Sequence, residues 1–211
     1  MTRLTQGMLF VATDINPADE ADFNQWYDRE HVEERVAISG FLSGARYQAL
    51  DNSRKYLGLY RTSSLDDFTS AAYHAAFTRQ TAWSVSNLGK MVNPMRRVCA
   101  IRAGVGFGTG SHLAILTLTM ETSDAAIQQL GEQLFHEAGF IRSSLLQPDV
   151  DLSTPLPKEA RENRAMQPMV LIESSSQQAS EHLAAIASTA LDCRVSFYAL
   201  SWQLTKQEMP S

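Results

Sequence analysis

Apolar and polar residues along the first half of the chain follow two periods, which together predict a set of strands and helices. Period-two runs typical of strands cover 8–13, 41–50, 55–61 and 96–102. Helical spacing covers 19–35 and a stretch that begins near 65. The order is therefore β-α-β-β-α-β. This split βαβ or ferredoxin-like arrangement is an antiparallel sheet with helices on one face, so we predict an α+β fold.

Residues at the ends of these runs agree with the periodic pattern. Asn16 and Pro17 precede an acidic stretch that suits the positive N-terminus of a helix. The polar segment 51–54 suits a hairpin turn, and Ser64 with Asp67 resembles a capping box. The periods and the end signals thus predict the same elements.

The second half of the chain repeats the pattern of the first. Strand patterns at 113–120, 139–147, 169–176 and 195–204 alternate with helical ones at 123–137 and after 176. Gly139-Phe140 opens a strand as Gly40-Phe41 does in the first half. Similarity at a period of half the chain indicates a duplicated unit. We predict two tandem ferredoxin-like βαββαβ domains, whose antiparallel sheets pair face to face in a dimeric α+β barrel-like arrangement within one chain. A homodimer that pairs equivalent domains is the alternative assembly.

A glycine-rich segment separates the two halves. Between Ala103 and Ser111 glycine stands at every second position, which is not the spacing of a phosphate-binding loop, and the residues that follow alternate like a strand. We interpret 105–110 as a linker between a first domain at 1–104 and a degenerate second domain at 111–211. The second domain also has a long proline-containing loop between its central strands.

Composition and charge argue against several function classes. The 211 residues suit two domains of about 100 residues each, and 44% apolar residues can bury a core. The formal net charge is -5 and no Lys/Arg run interleaves with aromatic residues, so we expect no nucleic acid partner. No stretch approaches the ~18 apolar residues of a membrane span, and the N-terminus lacks the apolar run of a signal peptide. Cys99 and Cys193 have no metal-ligand spacing, which indicates free thiols and a cytoplasmic location.

The first predicted helix carries a cluster of aromatic and polar side chains in the segment FNQWYDREH. At about 100° per residue, one broad face of this helix holds Phe23, Trp26, Tyr27, Glu30, His31 and Glu34. Val32 and Val36 lie nearly opposite Phe23, and a single straight helix cannot bury both sets. We therefore expect a break near 31–33. The first helix of the second half lacks this cluster, so the fold does not require it.

Two interpretations of the cluster stay open. In the functional one, His31 is a general acid/base near its useful pKa, oriented by Glu30 or Glu34, and the aromatic side chains wall a small substrate. In the structural one, the aromatic residues are core and the carboxylates pair with Arg35 or Arg46 at the surface. His31 and Glu34 also stand at i, i+3, a spacing that occurs in some metal sites. With no second histidine at i+4 the ligands are too few, so we expect no metal.

The segment from Phe23 to Phe41 resembles EthD-like proteins of the dimeric α+β barrel superfamily, in which a W-Y-x-x-E-H helix runs into a Gly-Phe strand start. The resemblance covers 8–62, whereas the second half matches only in its order of strands and helices. Members of the superfamily include cofactor-independent monooxygenases, polyketide cyclases, muconolactone isomerase-like enzymes and haem enzymes such as chlorite dismutases. Glu33 stands where a proline often follows the His-Val pair, which is a local departure at the turn.

The resemblance implies a cofactor-independent isomerase, cyclase or monooxygenase that acts on a small hydrophobic or aromatic molecule, with haem as a lesser alternative. It implies His31 as the acid/base, with Glu30 and Tyr27 as catalytic neighbours. Five further residues are candidates for binding the substrate: Trp26, Phe23, Arg46, Tyr73 and His74. A non-catalytic module that binds a small ligand or a partner in the same cleft is the second hypothesis.

Overall fold

The structure is a computed structural model that describes residues 5–210. Its strands are β1 (Gly7–Asp14), β2 (Phe41–Ala49), β3 (Tyr56–Thr62), β4 (Val92–Gly106), β5 (His112–Leu118), β6 (Phe140–Pro148), β7 (Met169–Ser174) and β8 (Cys193–Thr205). Its α-helices are α1 (Glu20–Trp26), α2 (Val32–Ala37), α3 (Ala71–Thr78), α4 (Ala82–Lys90), α5 (Asp124–Leu134) and α6 (Gln177–Ala190). A π-helical turn covers Tyr27–His31, and short 3₁₀ helices cover Leu65–Thr69 and Lys206–Glu208. The expectation about a signal peptide concerns in part residues 1–4, which lie outside the described residues.

The strands form one closed antiparallel barrel in the order β1-β3-β2-β8-β5-β7-β6-β4. Each half of the chain contributes four neighbouring strands, β4-β1-β3-β2 from the first and β8-β5-β7-β6 from the second. Pairing of β2 with β8 and of β4 with β6 joins the two sheets. The predicted α+β fold and the pairing of two sheets within one chain are confirmed. The barrel closes without a second copy, and the division of the chain at 105–110 stays a prediction.

Alternation along the strands separates the barrel interior from its outer faces. The interior is filled by apolar side chains that include Met8, Phe10 and Leu113. The residues between them, such as Leu9 and Val11, point outwards and pack under the helices of the first half. A separate core lies under α5 and α6. The helices thus cover the barrel from outside, and the FNQWYDREH segment lies in the layer between helix and sheet.

The predicted helix at 19–35 is observed as α1 and α2 joined by the π-helical turn. A π turn inserts one extra residue, which rotates the helix after it by roughly 100° relative to the helix before it. Val32 and Val36 can therefore point to the same sheet as Phe23, and all three side chains are fully buried. The expected break is confirmed, although it begins at Tyr27 instead of near 31–33.

Two parts of the first half differ from the prediction. The capping box at Ser64 is present, but the 3₁₀ helix that it starts ends at Thr69, and α3 and then α4 follow. The sequence analysis did not predict α4, which is capped by the Thr81 hydroxyl accepting from the backbone N–H of Ser84. Strand β4 continues to Gly106, so the glycine-rich segment begins inside a strand.

The repeat of the Gly-Phe strand start has a conformational reason. Gly40 and Gly139 precede β2 and β6 with φ values of +89° and +80°. This left-handed region is accessible to glycine at little cost and disfavours other residues. The same turn therefore begins the equivalent strand of each half, as a duplicated unit requires.

The long loop at 149–168 folds across one end of the barrel, where buried charges hold it. Arg97 points into this end and donates to the Glu159 carboxylate at 2.5 Å, and Arg164 donates to the same carboxylate at 2.9 Å. Although burial opposes it, these two hydrogen bonds lower the pKa of Glu159. We call this end of the barrel the loop mouth. Both cysteines are free thiols, and no helix of the described part is long and apolar enough to cross a membrane.

Candidate functional site

The FNQWYDREH segment forms an aromatic cluster against the outer face of the first sheet. The ring centroids of Trp26 and His31 are 4.2 Å apart, and those of Tyr27 and His31 are 5.0 Å apart. Phe23 lies 5.0 Å from Tyr27 on the other side. The His31 side chain is only 6% exposed, because the π turn directs it at the sheet together with the aromatic residues. The structure therefore brings four of the predicted site residues together.

Strands β2 and β3 supply the floor of this cluster with their outward-pointing residues. The Tyr60 ring meets His31 edge-on, with centroids 6.1 Å apart. A Cβ atom at Gly58 would lie 3.2 Å from the Tyr60 ring and 3.3 Å from the Tyr27 hydroxyl. Glycine at this position thus allows both tyrosines to lie close against the sheet.

Three buried polar atoms of this cluster have no hydrogen-bond partner among residues 5–210: His31 Nδ1, Arg35 Nη1 and the Tyr60 hydroxyl. The Tyr27 hydroxyl lies near that of Tyr60, and each of these hydroxyls affects the pKa of the other. Each buried polar group without a partner costs about 1–3 kcal/mol, and such groups are rare in folded proteins. Three on neighbouring residues are therefore a feature that packing alone does not explain.

Burial and the nearby positive charges together determine the protonation state of His31. Burial, and then the positive charges of Arg35 and Arg46, hold the pKa of His31 well below its usual range. The imidazole is thus neutral at pH 7 and able to accept a proton. Burial raises the pKa of Tyr27 and raises that of Tyr60 well above its usual value, so both hydroxyls keep their protons and can donate hydrogen bonds.

Glu30 turns away from His31 and bonds to helix α4. Its carboxylate accepts hydrogen bonds from the Thr81 hydroxyl at 2.6 Å and from the Ser84 hydroxyl at 3.1 Å. Ser84 also accepts a hydrogen bond from Trp26 Nε1 at 3.0 Å. The expected orientation of the His31 imidazole by Glu30 or Glu34 is not observed among residues 5–210, where His31 Nδ1 has no hydrogen-bond partner and both carboxylates bond to Ser84. Glu30 instead fixes the helix against α4.

Arg46 is buried in the site instead of pairing at the surface. It donates to Asp28 at 2.5 Å and to Asn24 at 2.9 Å, and its guanidinium lies 4.4 Å from the centroid of the Tyr27 ring. Asp28 and Asn24 thus hold the Arg46 guanidinium against the Tyr27 ring. The expected pairing of Glu30 or Glu34 with Arg35 or Arg46 is not observed within the described residues.

Helix α3 covers the site from the side of Arg35. Phe77 lies over the Arg35 guanidinium at 5.0 Å and is 41% exposed. Tyr73 is the buried residue of this helix, and its hydroxyl accepts a hydrogen bond from Arg96 at 2.8 Å. His74 is exposed. The structure therefore places Tyr73 and His74 on the covering helix and not among the side chains that contact His31.

The sequence analysis did not identify two residues of the cluster. It did not consider Tyr60, although this residue continues the alternation of outward positions on β3 beside Gly58. It treated Arg35 only as a surface partner for a carboxylate. The available signal was that Arg35 lies one turn after His31 on the same helix. Whether that face is buried depends on the position of the π turn, which the sequence did not predict.

Neither haem nor a metal ion fits the residues at this site. The space beside His31 is filled by Trp26, which is fully buried, and by Tyr27, so no slot for a planar macrocycle adjoins the imidazole. Two cavities of the barrel, of about 560 and 420 Å³, are also not lined by histidine. Among the described residues, no group of three or more His, Cys, Asp or Glu side chains could hold a metal ion.

These two cavities lie at opposite ends of the barrel. One, of about 560 Å³, lies at the loop mouth and is lined by Arg97, Glu159 and Arg164 among others. The other, of about 420 Å³, reaches inwards to Met8 and Leu171 and is rimmed by Arg61 and by residues of the glycine-rich segment. We call this second end the linker mouth.

Comparisons with known proteins identify the fold. No family model and no curated protein sequence matches the chain. An anthrone oxidase-like protein superposes with a TM-score of 0.62 and 12% identity over 98% of this chain and 95% of its own. A candidate monooxygenase from Fusobacterium nucleatum gives 0.62 and 7% identity over 98% and 96% of the two chains, and one from Lactobacillus acidophilus gives 0.61 and 9% over 96% and 97%. The chain thus has the fold of dimeric α+β barrel proteins, here closed within one polypeptide.

Proposed function

We propose that the chain is a cofactor-independent enzyme in which His31 removes a proton from a small hydrophobic or aromatic molecule that is then isomerised, cyclised or oxygenated. One observation carries the proposal. His31 Nδ1, Arg35 Nη1 and the Tyr60 hydroxyl are buried on neighbouring residues and have no partner within the described chain. A base, a cation and a hydroxyl donor are the groups that abstraction of a proton from a weak acid needs.

The electrostatics favour a substrate that becomes an anion. Neutral His31 takes the proton of an enol, a phenol or an activated C–H group, and the electron pair stays on the substrate. Arg35 faces the resulting anion, and the Tyr60 hydroxyl donates to its oxygen. The imidazolium beside two arginines is unfavourable until this anion forms, because burial and then the charges of the two arginines lower the pKa of His31. The anion then takes the proton back at another atom or transfers electrons to dioxygen.

The remaining predicted residues have supporting roles in this proposal. Trp26, Phe23 and Tyr27 provide an apolar aromatic wall, which suits an aromatic or aliphatic substrate. Glu30 holds the helix by its bonds to α4, and Arg46 holds Tyr27. We assign both as positioning residues.

Access to the site requires helix α3 to move. Phe77 covers Arg35 while remaining 41% exposed, and Tyr73 is the buried residue of this helix. Displacing Phe77 would open a path to Arg35 and His31 at little loss of buried apolar surface. Tyr73 and His74, on the same helix, stay candidates for contact with an entering substrate.

An anthrone is the first substrate to test, because one structural neighbour is described as anthrone oxidase-like. Oxidation of anthrone to anthraquinone consumes one dioxygen and releases one water, after loss of an acidic C–H proton. We expect His31→Gln to lower kcat/KM by about 10²–10⁴-fold, the typical contribution of a general base. His136→Gln changes an exposed histidine and should have no effect. Oxygen uptake and anthraquinone formation measure both variants, and equal activity of wild type and His31→Gln would contradict the proposal.

A wild-type protein that does not oxidise anthrone is tested for proton transfer alone. Exchange of acidic C–H protons of small aromatic ketones for deuterium in D₂O measures this step without dioxygen. Binding without exchange would favour the alternative function, a small-ligand-binding module. A homodimer stays a prediction, which analytical ultracentrifugation tests.

A further inference from the structure

The linker mouth carries charged side chains at positions that continue the apolar lining of the barrel. Leu57, Leu59 and Arg61 alternate inwards along β3, and Leu171 and Glu173 do so along β7. Arg142 on β6 is the register partner of Glu173. The barrel interior thus ends in a layer of two arginines and one glutamate above an apolar floor.

Neither arginine of this layer has an ion-pair partner among the described residues. No carboxylate of residues 5–210 lies within 4.0 Å of either guanidinium, although both are half-buried. Nε of Arg142 is buried without a hydrogen-bond partner. Glu173 is occupied on the other side, where it accepts a hydrogen bond from the backbone N–H of Gly110 at 3.0 Å. Burial, and then the charge of Arg142, lower the pKa of Arg61 to about 10, so the Arg61 guanidinium remains charged at pH 7.

At the loop mouth of the same barrel, the arginine charges are paired with a carboxylate. There Arg97 and Arg164 share the Glu159 carboxylate, with ion-pair distances of 2.5 Å and 2.8 Å. Both ends therefore place arginines near the interior, but one end supplies a bonded carboxylate from its own loop. At the linker mouth, two arginines against one glutamate leave a net positive charge beside the cavity.

The volume and the apolar lining of the cavity beside these charges also suit a ligand. Its volume of about 420 Å³ lies within the usual range of about 300–1,000 Å³ for ligand sites. Apolar side chains, among them Met8, Leu59 and Leu171, line its inner part. Leu42 and Thr109 lie at its exposed rim, so the cavity is open to solvent.

We propose that the linker mouth binds a small amphipathic carboxylate, with the carboxylate group between Arg61 and Arg142 and the apolar body in the barrel interior. A carboxylate supplies the acceptor that Arg142 Nε lacks, and planar carboxylates match the guanidinium fork. Because the floor of the cavity is apolar, the ligand needs an apolar body, which a free inorganic anion lacks. The site lies inside the barrel, on the opposite face of the sheet from His31, and so does not depend on the function proposed above.

Decanoate is the probe, and decan-1-ol and inorganic phosphate are its two controls, each titrated calorimetrically into the purified chain. We expect decanoate to bind, decan-1-ol to bind at least 10-fold more weakly, and phosphate alone not to bind measurably. Equal affinity for decanoate and decan-1-ol would overturn the role of the arginines. Binding of phosphate but not of decanoate would overturn the amphipathic class, and binding of neither acid nor phosphate would overturn the site.

Matched arginine variants locate the binding. Arg142→Gln should weaken decanoate binding by about 10–100-fold, the range for loss of a charge-assisted hydrogen bond. Arg194→Gln alters an exposed arginine that lines the cavity at the loop mouth, and should leave the affinity unchanged. Equal effects of both variants would place the ligand elsewhere and overturn the proposal. Arg61→Gln provides a second test should Arg142→Gln fail to fold, and the comparison of decanoate with decan-1-ol needs no variant.

Discussion

Removing the Tyr60 hydroxyl tests whether the buried atoms beside His31 truly lack partners. The Tyr60 side chain is 1% exposed, and its hydroxyl has no hydrogen-bond partner among the described residues. Burial of such a group costs about 1–3 kcal/mol. Tyr60→Phe deletes that group and keeps the ring that packs on His31. We therefore expect the free energy of unfolding to rise by up to that amount.

Tyr73→Phe is the matched control, because it makes the same change at a buried tyrosine whose hydroxyl has a partner. Arg96 donates to that hydroxyl at 2.8 Å. Its removal leaves a buried donor with one bond fewer, so the free energy of unfolding should fall by about 1 kcal/mol or more. The two substitutions are thus expected to change stability in opposite directions.

Urea denaturation measures both variants, and thermal unfolding gives a second readout. In a chain of this length, 1 kcal/mol shifts Tm by roughly 2–4 °C. A loss of stability in Tyr60→Phe similar to that in Tyr73→Phe would refute the reasoning, because it would mean that the Tyr60 hydroxyl is bonded in the folded protein. The proposed function would then lose one of the three atoms that carry it.

Two further predictions concern charged groups. The pKa of His31 is held below its usual value of about 6.5, so below that pH the unfolded chain binds a proton that the folded chain does not. The free energy of unfolding should therefore fall as the pH drops below about 6.5, by up to about 1.4 kcal/mol per pH unit. His31→Gln should remove this contribution, which urea titrations at several pH values measure. Glu159→Gln should destabilise the chain by about 3–5 kcal/mol, because it leaves Arg97 buried without its carboxylate. The exposed pair of Asp124 with Arg102 provides the control: Asp124→Asn should cost no more than about 1 kcal/mol, and an equal loss in both variants would contradict the assignment.

The sequence predicted those parts of the structure that depend on local periodicity. Alternation identified all eight strands, and the Gly-Phe repeat identified the duplication, because glycine is needed for the positive φ at Gly40 and Gly139. The break in the first helix also followed from periodicity, since two apolar sets on opposite faces cannot both be buried by a regular helix. Periodicity did not predict that this break is a π turn at Tyr27–His31, because the extra residue can be inserted at several places along the helix.

Contacts between distant segments explain what the sequence could not predict. Glu30 bonds to Thr81 and Ser84, which lie on a helix that the pattern did not reveal. The ion-pair network of the long loop and the placement of Arg61 and Arg142 at the linker mouth likewise depend on which strands become neighbours in the closed barrel. Strand order in a barrel follows from the whole fold and not from any single segment.

The two halves of the chain provide an internal comparison for the buried polar cluster. In the second half, α5 packs on its sheet with an apolar stripe that includes Ile127, Leu130 and Leu134, and it needs no π turn. In the first half, the equivalent helix buries His31 and Arg35 at the same layer. The same sheet and helix arrangement is thus built once without buried titratable groups and once with them. Because the fold forms without a buried histidine or arginine in this layer, the polar cluster of the first half supports the proposed function.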